Sequence, residues 1–369
     1  MKVLQVNAGL EEGGAKTHII SLMSQFQTDT VELLVLEEGS VAKEARLIGI
    51  TVHVLNQRSR YDVTIVNRLA DFITSNQFDV VHTHGARANL FLALIKNKIS
   101  STWVSTVHSN PVLDFIDKGL KGKVFSFLNN WSLRKADKLV VVTEELKEIL
   151  IQKGISENKV FVIYNGIIFD NKLVKNQSRN TDFTITCVAR LHQIKAHNFL
   201  FESLEASGLV DFHLNIVGDG ELRSVLEKKV SALGFQEQVQ FHGALEKRQI
   251  EALLYGTDIT VLASSSEGFP LVLLESANQR VPFISTNVGD IAKLVPDSSY
   301  SWLIDIHDKK AYAAALKEAF ILWQSNNLAE KGEKLFQLVS KKYPLKKTYL
   351  ETLNVYQVQV SKSNERIIS

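Results

Sequence analysis

The stretch DNKLVKNQSRNTDFTITCVA, Asp170–Ala189, decides the fold. Its polar part, Asp170–Asp182, carries no hydrophobic period and reads as a linker. The apolar, β-branched run that follows restarts a pattern that has already run once. Before the linker, Val3–Val6, Glu32–Leu36, Thr51–Leu55, Asp79–Thr83, Trp103–Val107, Leu139–Val142 and Val160–Ile163 read as short strands. Helix-period segments such as Ala15–Phe26, Val63–Ser75, Arg87–Lys96 and Glu144–Gln152 lie between them. After the linker, Phe183–Ala189, Phe212–Val217, Gln238–His242, Ile259–Ala263, Pro282–Ser285 and Trp302–Ile304 repeat the alternation. Strands alternating with amphipathic helices predict parallel sheets covered on both faces. The chain therefore reads as two doubly wound α/β lobes facing a cleft, with ligands outside the carboxyl ends of the strands. The expected division is 1–169, a linker 170–182, 183–343, and a tail helix after Pro344 within 344–369.

Composition sets the remaining bounds. With 369 residues, 45% hydrophobic and 22% charged, the chain has the makings of ordinary globular domains. The single cysteine, Cys187, excludes a disulfide framework and suits a reducing cytosol. MKVLQVNAG reads as a strand and not as a signal peptide. No apolar run approaches the ~20 residues of a spanning helix. A net charge of +2 does not suggest a nucleic-acid partner.

The chemistry concentrates in SSSEGFPLVLLESAN, Ser264–Asn278. Pro270 favours the first turn of a helix. Glu267 then sits on the loop and Glu275 two turns into the helix. The N–H groups of Leu271 and Val272 point out of the helix start, where the dipole favours an anion such as a diphosphate. Phosphate on the amides and hydroxyl-rich groups on the carboxylates suit a sugar nucleotide. Two surface glutamates on an amphipathic helix would be the plainer reading. Arg190 and Lys195, in ARLHQIKAH, follow the first strand after the linker and suit a diphosphate clamp. Gly218-Asp219-Gly220 opens a helix after a strand, but Arg223 stands where a dinucleotide fingerprint needs its third glycine.

Before the linker, Gly13-Gly14 follows the first strand and lets the backbone approach a phosphate. Gly9, Gly14, Lys16 and Thr17 nearly spell a P-loop, but Ala15 separates the glycine from the lysine. His82 and His84 share a strand face, and as a metal pair they lack a convincing third ligand. His108 ends WVSTVH, ahead of a Pro-containing loop, where a cleft residue belongs. His18 lies one turn into the first helix, facing either cleft or solvent. No Asp-x-Asp pair is present to hold a diphosphate through a metal. Phe115–Lys135 mixes lysines and an arginine with Phe125, Phe127 and Trp131. That mixture reads as a surface helix for anionic membrane, or as a core helix with a basic edge.

Taken together, these residues resemble the retaining glycosyltransferases of family 4, which have the GT-B fold of two Rossmann-like lobes. The resemblance rests on Gly13-Gly14, VHTHG at His82–Gly85, TVH at His108, ADKLVVVTE at Ala136–Glu144, and IYNGI at Ile163–Ile167. It continues through ARLHQIKAH, VGDGE at Val217–Glu221, FHG at Phe241–Gly243 and SEGFPLVLLES. It implies that Arg190 and Lys195 neutralise the donor diphosphate. Glu267 and the backbone at Gly268, Phe269 and Leu271 would face the donor sugar, and Glu275 the ribose. Gly13-Gly14 would approach the phosphates, His108 would lie near the donor sugar, and Gly218 and Gly243 would line the nucleotide pocket. His18 and His84 are assigned to the acceptor side. The resemblance also implies a final helix on the first lobe. Ala189, Ala196, Arg280 and Asp290 stand where the family often has glycine, and Lys293 where it often has glutamate.

The expected activity is retaining, metal-independent transfer from a nucleoside-diphosphate sugar, UDP-linked by preference, to a glycan or glycolipid at the inner face of the plasma membrane. A catalytically silent transferase-like subunit and a two-lobe sugar-nucleotide epimerase are the alternatives.

Overall fold

The computed structural model describes residues 1–56, 62, 64–111, 119–173 and 182–358. The chain divides into two compact units. The first comprises Met1–Asn165 with Leu345–Ser369, and the second Gly166–Pro344. The first division thus falls at Asn165, ahead of the polar stretch. Residues 174–181 of the expected linker, 115–118 of the basic-aromatic segment and the terminal SKSNERIIS lie outside the described residues.

The first unit holds seven strands: β1 (Val3–Asn7), β2 (Val31–Val35), β3 (Thr51–Val54), β4 (Val80–His84), β5 (Thr102–Val107), β6 (Lys138–Val141) and β7 (Val160–Val162). They pair in the order β3-β2-β1-β4-β5-β6-β7, every pair parallel. The second unit repeats the plan with β8 (Phe183–Val188), β9 (Phe212–Val217), β10 (Val239–Gly243), β11 (Ile259–Leu262), β12 (Phe283–Thr286) and β13 (Trp302–Ile304). Their order is β10-β9-β8-β11-β12-β13, again all parallel. Both orders reverse direction beside the unit's first strand, the topological switch point at which such sheets bind ligands.

Every strand expected from the sequence is present, with ends displaced by at most a residue or two. Helix Ser40–Leu47, the crossover between β2 and β3, was not among the segments read from the sequence. Local chemistry starts several helices. Thr143 accepts from the Leu146 N–H at 3.1 Å ahead of Glu144–Gln152. Asp308 accepts from Ala311 at 2.9 Å ahead of Lys309–Gln324. Glu246 and Gln249 form a reciprocal cap on Lys247–Tyr255.

Burial of apolar side chains on both sheet faces holds each unit. Val3, Leu33, Val80 and Val104 pack with Ile19 and Leu22 of helix Gly14–Met23 in the first unit. Phe183, Ile185, Leu214 and Val261 pack with Tyr312 and Leu316 of helix Lys309–Gln324 in the second. The final helix, Leu345–Gln357, belongs to the first unit. Its Val355 and Tyr356 enter that core, and Tyr349 meets Phe26 edge-on at 4.9 Å. Buried Lys138 donates to the carbonyls of Val355 at 2.6 Å and Tyr356 at 2.9 Å, placing a cation on the negative end of that helix.

Two departures from family glycines acquire a conformational meaning. Ala196 has φ 48° and Arg280 has φ 56°, both left-handed. An L-residue there costs about 1–2 kcal/mol. Arg280 offsets that cost: its guanidinium lies 3.5 Å from the Phe336 ring centre, and Nη1 donates to the Asn278 carbonyl at 2.5 Å. Ala196 has no such side chain. Ala196→Gly should therefore raise the stability of the second unit by about 1 kcal/mol, whereas Arg280→Gly should lower it by a similar amount. Urea unfolding of both variants checks this; destabilisation by Ala196→Gly would refute the strain argument.

Candidate functional site

In the second unit the loops after β8 and β11 are stitched together. Ser265 donates to the Ile194 carbonyl from its backbone N–H at 2.8 Å and from its hydroxyl at 3.2 Å. This brings Lys195 Nζ to Glu267 Oε1 at 2.6 Å, and Ser264 Oγ donates to the same oxygen at 2.6 Å. The Glu267 side chain is 9% exposed and that of Lys195 22%, so the pair is well shielded. Lys195 is thus committed to Glu267 and does not stand as an open cation. Arg190 does: it is exposed and has no ion-pair partner among the described residues.

Helix Leu271–Asn278 begins one residue later than the sequence suggests, with Pro270 as its cap and no side-chain cap bond. The N–H groups of Leu271 and Val272 are left at an uncapped helix start. Half-buried Glu275 lies one turn further on. Burial raises its carboxyl above the usual range, and it has no hydrogen-bond partner among the described residues. Phe269 enters the donor reading through its backbone. Its side chain is 3% exposed and packs on Tyr343 at 5.0 Å, so it is an internal anchor of the loop.

Glycines in this region serve backbone packing. A Cβ on Gly218 would meet the Ala189 carbonyl oxygen at 2.2 Å, and one on Gly220 the Leu191 carbonyl oxygen at 2.4 Å. Gly218 donates to the Gly243 carbonyl at 2.8 Å. The partial fingerprint therefore braces the Arg190 loop. Gly289, with φ 55°, braces the Glu267–Gly268 loop: a Cβ there would lie 2.7 Å from the Glu267 carbonyl oxygen. Lys293, placed near a donor pocket by the resemblance, is exposed, and its carbonyl accepts from Lys342 at 2.8 Å and Tyr343 at 3.0 Å.

In the first unit, Gly13 caps helix Gly14–Met23 with φ 69° and ψ −146°, a conformation reserved for glycine. A Cβ at Gly13 or Gly14 would meet nothing within 4 Å, so open space and not packing surrounds them. Lys16 pairs with Glu12 at 2.9 Å and Glu44 at 2.7 Å, unlike a phosphate-binding lysine.

His108 is the first residue after β5. His18, His84 and His108 converge at the carboxyl ends of β1, β4 and β5 and helix Gly14–Met23. His18 meets His108 edge-on at 4.9 Å, resolving its orientation inward, and His84 stacks on His108 at 5.4 Å. His82 and His84 do share a face, with ring centres 4.4 Å apart. Burial pushes His18 down to about 4, opposed by the Asn165 side chain. Burial, aided by the other histidines, takes His82 to about 3 and His84 and His108 well below the usual value. The cluster is uncharged near neutral pH. Among the described residues no group of three or more His, Cys, Asp or Glu side chains is arranged to hold a metal.

Sequence reading passed over four residues. Ser264 lay inside the quoted stretch, and its hydroxyl was the available signal. Gln5 and Tyr356 bond the histidines, 351 residues apart in the chain and bonded to each other. Burial pushes His197 to about 4, and neither of its ring nitrogens has a hydrogen-bond partner among the described residues.

These depressed histidines predict an acid-sensitive first unit. Their unfolded value is 6.5, so between there and about 4 the unfolded chain binds more protons than the folded one. The stability they contribute is complete above about pH 6.5 and is lost as pH falls towards 4, at about 1.4 kcal/mol per unit per group. Calorimetry from pH 7.5 to 5 should lower the first unit's transition more than the second's, which has only His197 strongly depressed. A transition insensitive to pH over that range would refute the neutral cluster.

Two family descriptions match the chain: Glycosyltransferase Family 4 over residues 12–170 and Glycosyl transferases group 1 over residues 168–335. The chain is 25% identical over 313 residues, covering 79% of it and 80% of the relative, to the Escherichia coli UDP-Gal:alpha-D-GlcNAc-diphosphoundecaprenol alpha-1,3-galactosyltransferase. It is 24% identical to the putative glycosyltransferase EpsF of Bacillus subtilis, covering 99% of this chain and 98% of that one. Its fold is similar to Anabaena Alr3699/HepE, solved in complex with UDP and glucose, with a TM-score of 0.82 at 17% identity over 96% of this chain and 98% of the other. A lipopolysaccharide outer core galactosyltransferase, WaaB, in its apo form, matches with a TM-score of 0.69 at 17% identity over 96% of this chain and 99% of that one. Two parallel-sheet α/β lobes, two adjoining family matches and these neighbours make the chain a GT-B protein of the group 1, family 4-like glycosyltransferases.

Proposed function

We propose that this chain is a retaining, metal-independent transferase that moves a sugar from a UDP-sugar to a hydroxyl of a lipid-linked or envelope glycan. The observation that carries the reading is the second unit's arrangement of exposed Arg190, the Lys195–Glu267 pair and the uncapped helix start at Leu271. As the bond from the anomeric carbon to the diphosphate breaks, negative charge grows on the leaving oxygen. Arg190, Lys195 and the helix amides meet it, and such preorganised electrostatics is usually the largest catalytic contribution. The acceptor oxygen attacks from the same face, and its proton passes to the departing phosphate oxygen. Glu267 stands for the sugar and Glu275 for the ribose hydroxyls, the latter an acceptor with no hydrogen-bond partner among the described residues. His108 offers the sugar an uncharged imidazole. The uridine nucleotide bound by the Anabaena protein and the diphosphoundecaprenol substrate of the Escherichia coli enzyme support the choice of donor and acceptor.

A membrane-borne acceptor also suits helix Gly119–Lys135. Val124, Phe125 and Phe127 are 57%, 48% and 71% exposed, beside exposed Lys121 and Lys123. Apolar side chains between cations suit an anionic lipid surface, at about 1 kcal/mol per lysine. None of the described helices is long and apolar enough to cross a membrane.

Purified protein with UDP-, GDP-, ADP- and dTDP-sugars, in EDTA, with and without membrane lipid extract, tests the function. UDP should be released from a UDP-sugar only with lipid. Lys195→Ala should cost about 3–4 kcal/mol in the barrier, or ~10²–10³ in rate. Nucleotide binding without release from any donor would favour the silent-subunit alternative, and donor interconversion without acceptor the epimerase. In flotation assays the protein should bind phosphatidylserine or cardiolipin vesicles at low salt and lose binding with Lys121→Glu/Lys123→Glu; failure of the wild type to float would point to a soluble acceptor.

A further inference from the structure

The histidines of VHTHG belong to a continuous chain of side-chain hydrogen bonds within the first unit. His108 Nε2 lies 3.2 Å from His84 Nδ1. His84 Nε2 lies 2.8 Å from Gln5 Oε1, and Gln5 Nε2 donates to Tyr356 Oη at 3.1 Å. Tyr356 Oη lies 2.7 Å from His82 Nδ1, and His82 Nε2 lies 2.7 Å from Thr106 Oγ1. Gln5, His82, His84, Thr106 and Tyr356 are all buried, so each bond must be made within the chain.

With the Gln5 amide turned oxygen to His84 and nitrogen to Tyr356, the donor inventory sets the direction of each bond. Gln5 Oε1 can only accept, so the His84 proton sits on Nε2. A neutral imidazole carries one proton, so His84 Nδ1 is bare and the proton between the rings belongs to His108 Nε2. Tyr356, accepting from Gln5, donates to His82 Nδ1, and His82 Nε2–H donates to Thr106. All the bonds run in one direction, away from His108, the arrangement in which neighbouring bonds reinforce one another. His108 Nδ1 is left bare, with no partner among the described residues.

We propose that Gln5, His84 and Tyr356 are positioning residues that lock His108 as its Nε2–H tautomer, leaving Nδ1 as an acceptor for a hydroxyl of the transferred sugar. The final helix thereby takes part in presenting that acceptor, and the Lys138 bond to the Tyr356 carbonyl holds the phenol in register. The proposal rests on the placement of His108 at the sugar given above. Depression of the histidines by burial agrees with a chain of neutral rings.

Imidazole ¹⁵N spectroscopy of the full chain at pH 7.5, with His108→Gln used for assignment, tests it. The His108 ring should be neutral and protonated on Nε2. Tyr356→Phe and the size-matched Gln5→Met should each convert it to a mixture of tautomers. They should lower kcat by roughly two- to tenfold, the loss of one neutral hydrogen bond, with little change in donor KM. A His108 ring protonated on Nδ1 or charged in the wild type, or a tautomer unchanged in both variants, would overturn the lock. Wild-type transfer by His108→Ala would overturn the placement of His108 at the sugar, while the tautomer readout would still decide the chain.

Discussion

A parallel sheet covered on both faces leaves its strands no access to water, so a polar side chain on a strand must find its partner inside the protein. The cost of an unmade bond there is about 1–3 kcal/mol, more than the net worth of a made one. Both units are organised by this asymmetry. In the first, Thr83 and Ser105 hydroxyls donate to Asn89 Oδ1 at 2.6 and 2.8 Å, and the Trp103 indole donates to Thr83 at 2.8 Å. In the second, Thr186 and Thr257 share a bond at 2.7 Å, and His242 meets Asn215 at 2.7 Å. The histidine chain is the longest expression of the same rule. Parallel register pairs Gln5 with His82 and His84 with Thr106 on neighbouring strands, so the bonds His84–Gln5 and His82–Thr106 each run diagonally, to the residue two positions along from the register partner.

The architecture was legible because buried parallel strands are short apolar runs, and both series of runs are bounded by polar turns. Helix Ser40–Leu47 escaped because its buried side consists only of Val41, Ala42 and Ala45, too small an apolar signal for the eye. Glu267 and Lys195 were both legible as residues, but their pairing was not. They lie 72 positions apart, and what joins them is a backbone bond from Ser265 to Ile194 that no periodicity encodes. The burial of the Phe269 side chain was not legible for a related reason: its neighbour Tyr343 comes from the far end of the unit. The glycines at 218 and 220 were legible for their ligand potential; that they also let two backbones touch is visible only in the fold.

The Lys195–Glu267 pair changes how charge in the second unit should be counted. A lysine bonded to a shielded carboxylate contributes little net field, so the open cation is Arg190. Under the proposed function, an arriving diphosphate would compete with Glu267 for the ammonium. Ser264 would make that exchange cheaper, because its hydroxyl would still satisfy Glu267 Oε1 with Lys195 turned away. Released from the lysine, Glu267 would become an acceptor for sugar hydroxyls, so one rearrangement would ready both groups. Anion binding and sugar binding would then be coupled through a single shared oxygen. A diphosphate lacking the sugar would still draw off the lysine but leave Glu267 with only Ser264 for a partner. The site would accordingly favour the intact sugar nucleotide over its diphosphate product, a bias that favours product release once the sugar has left.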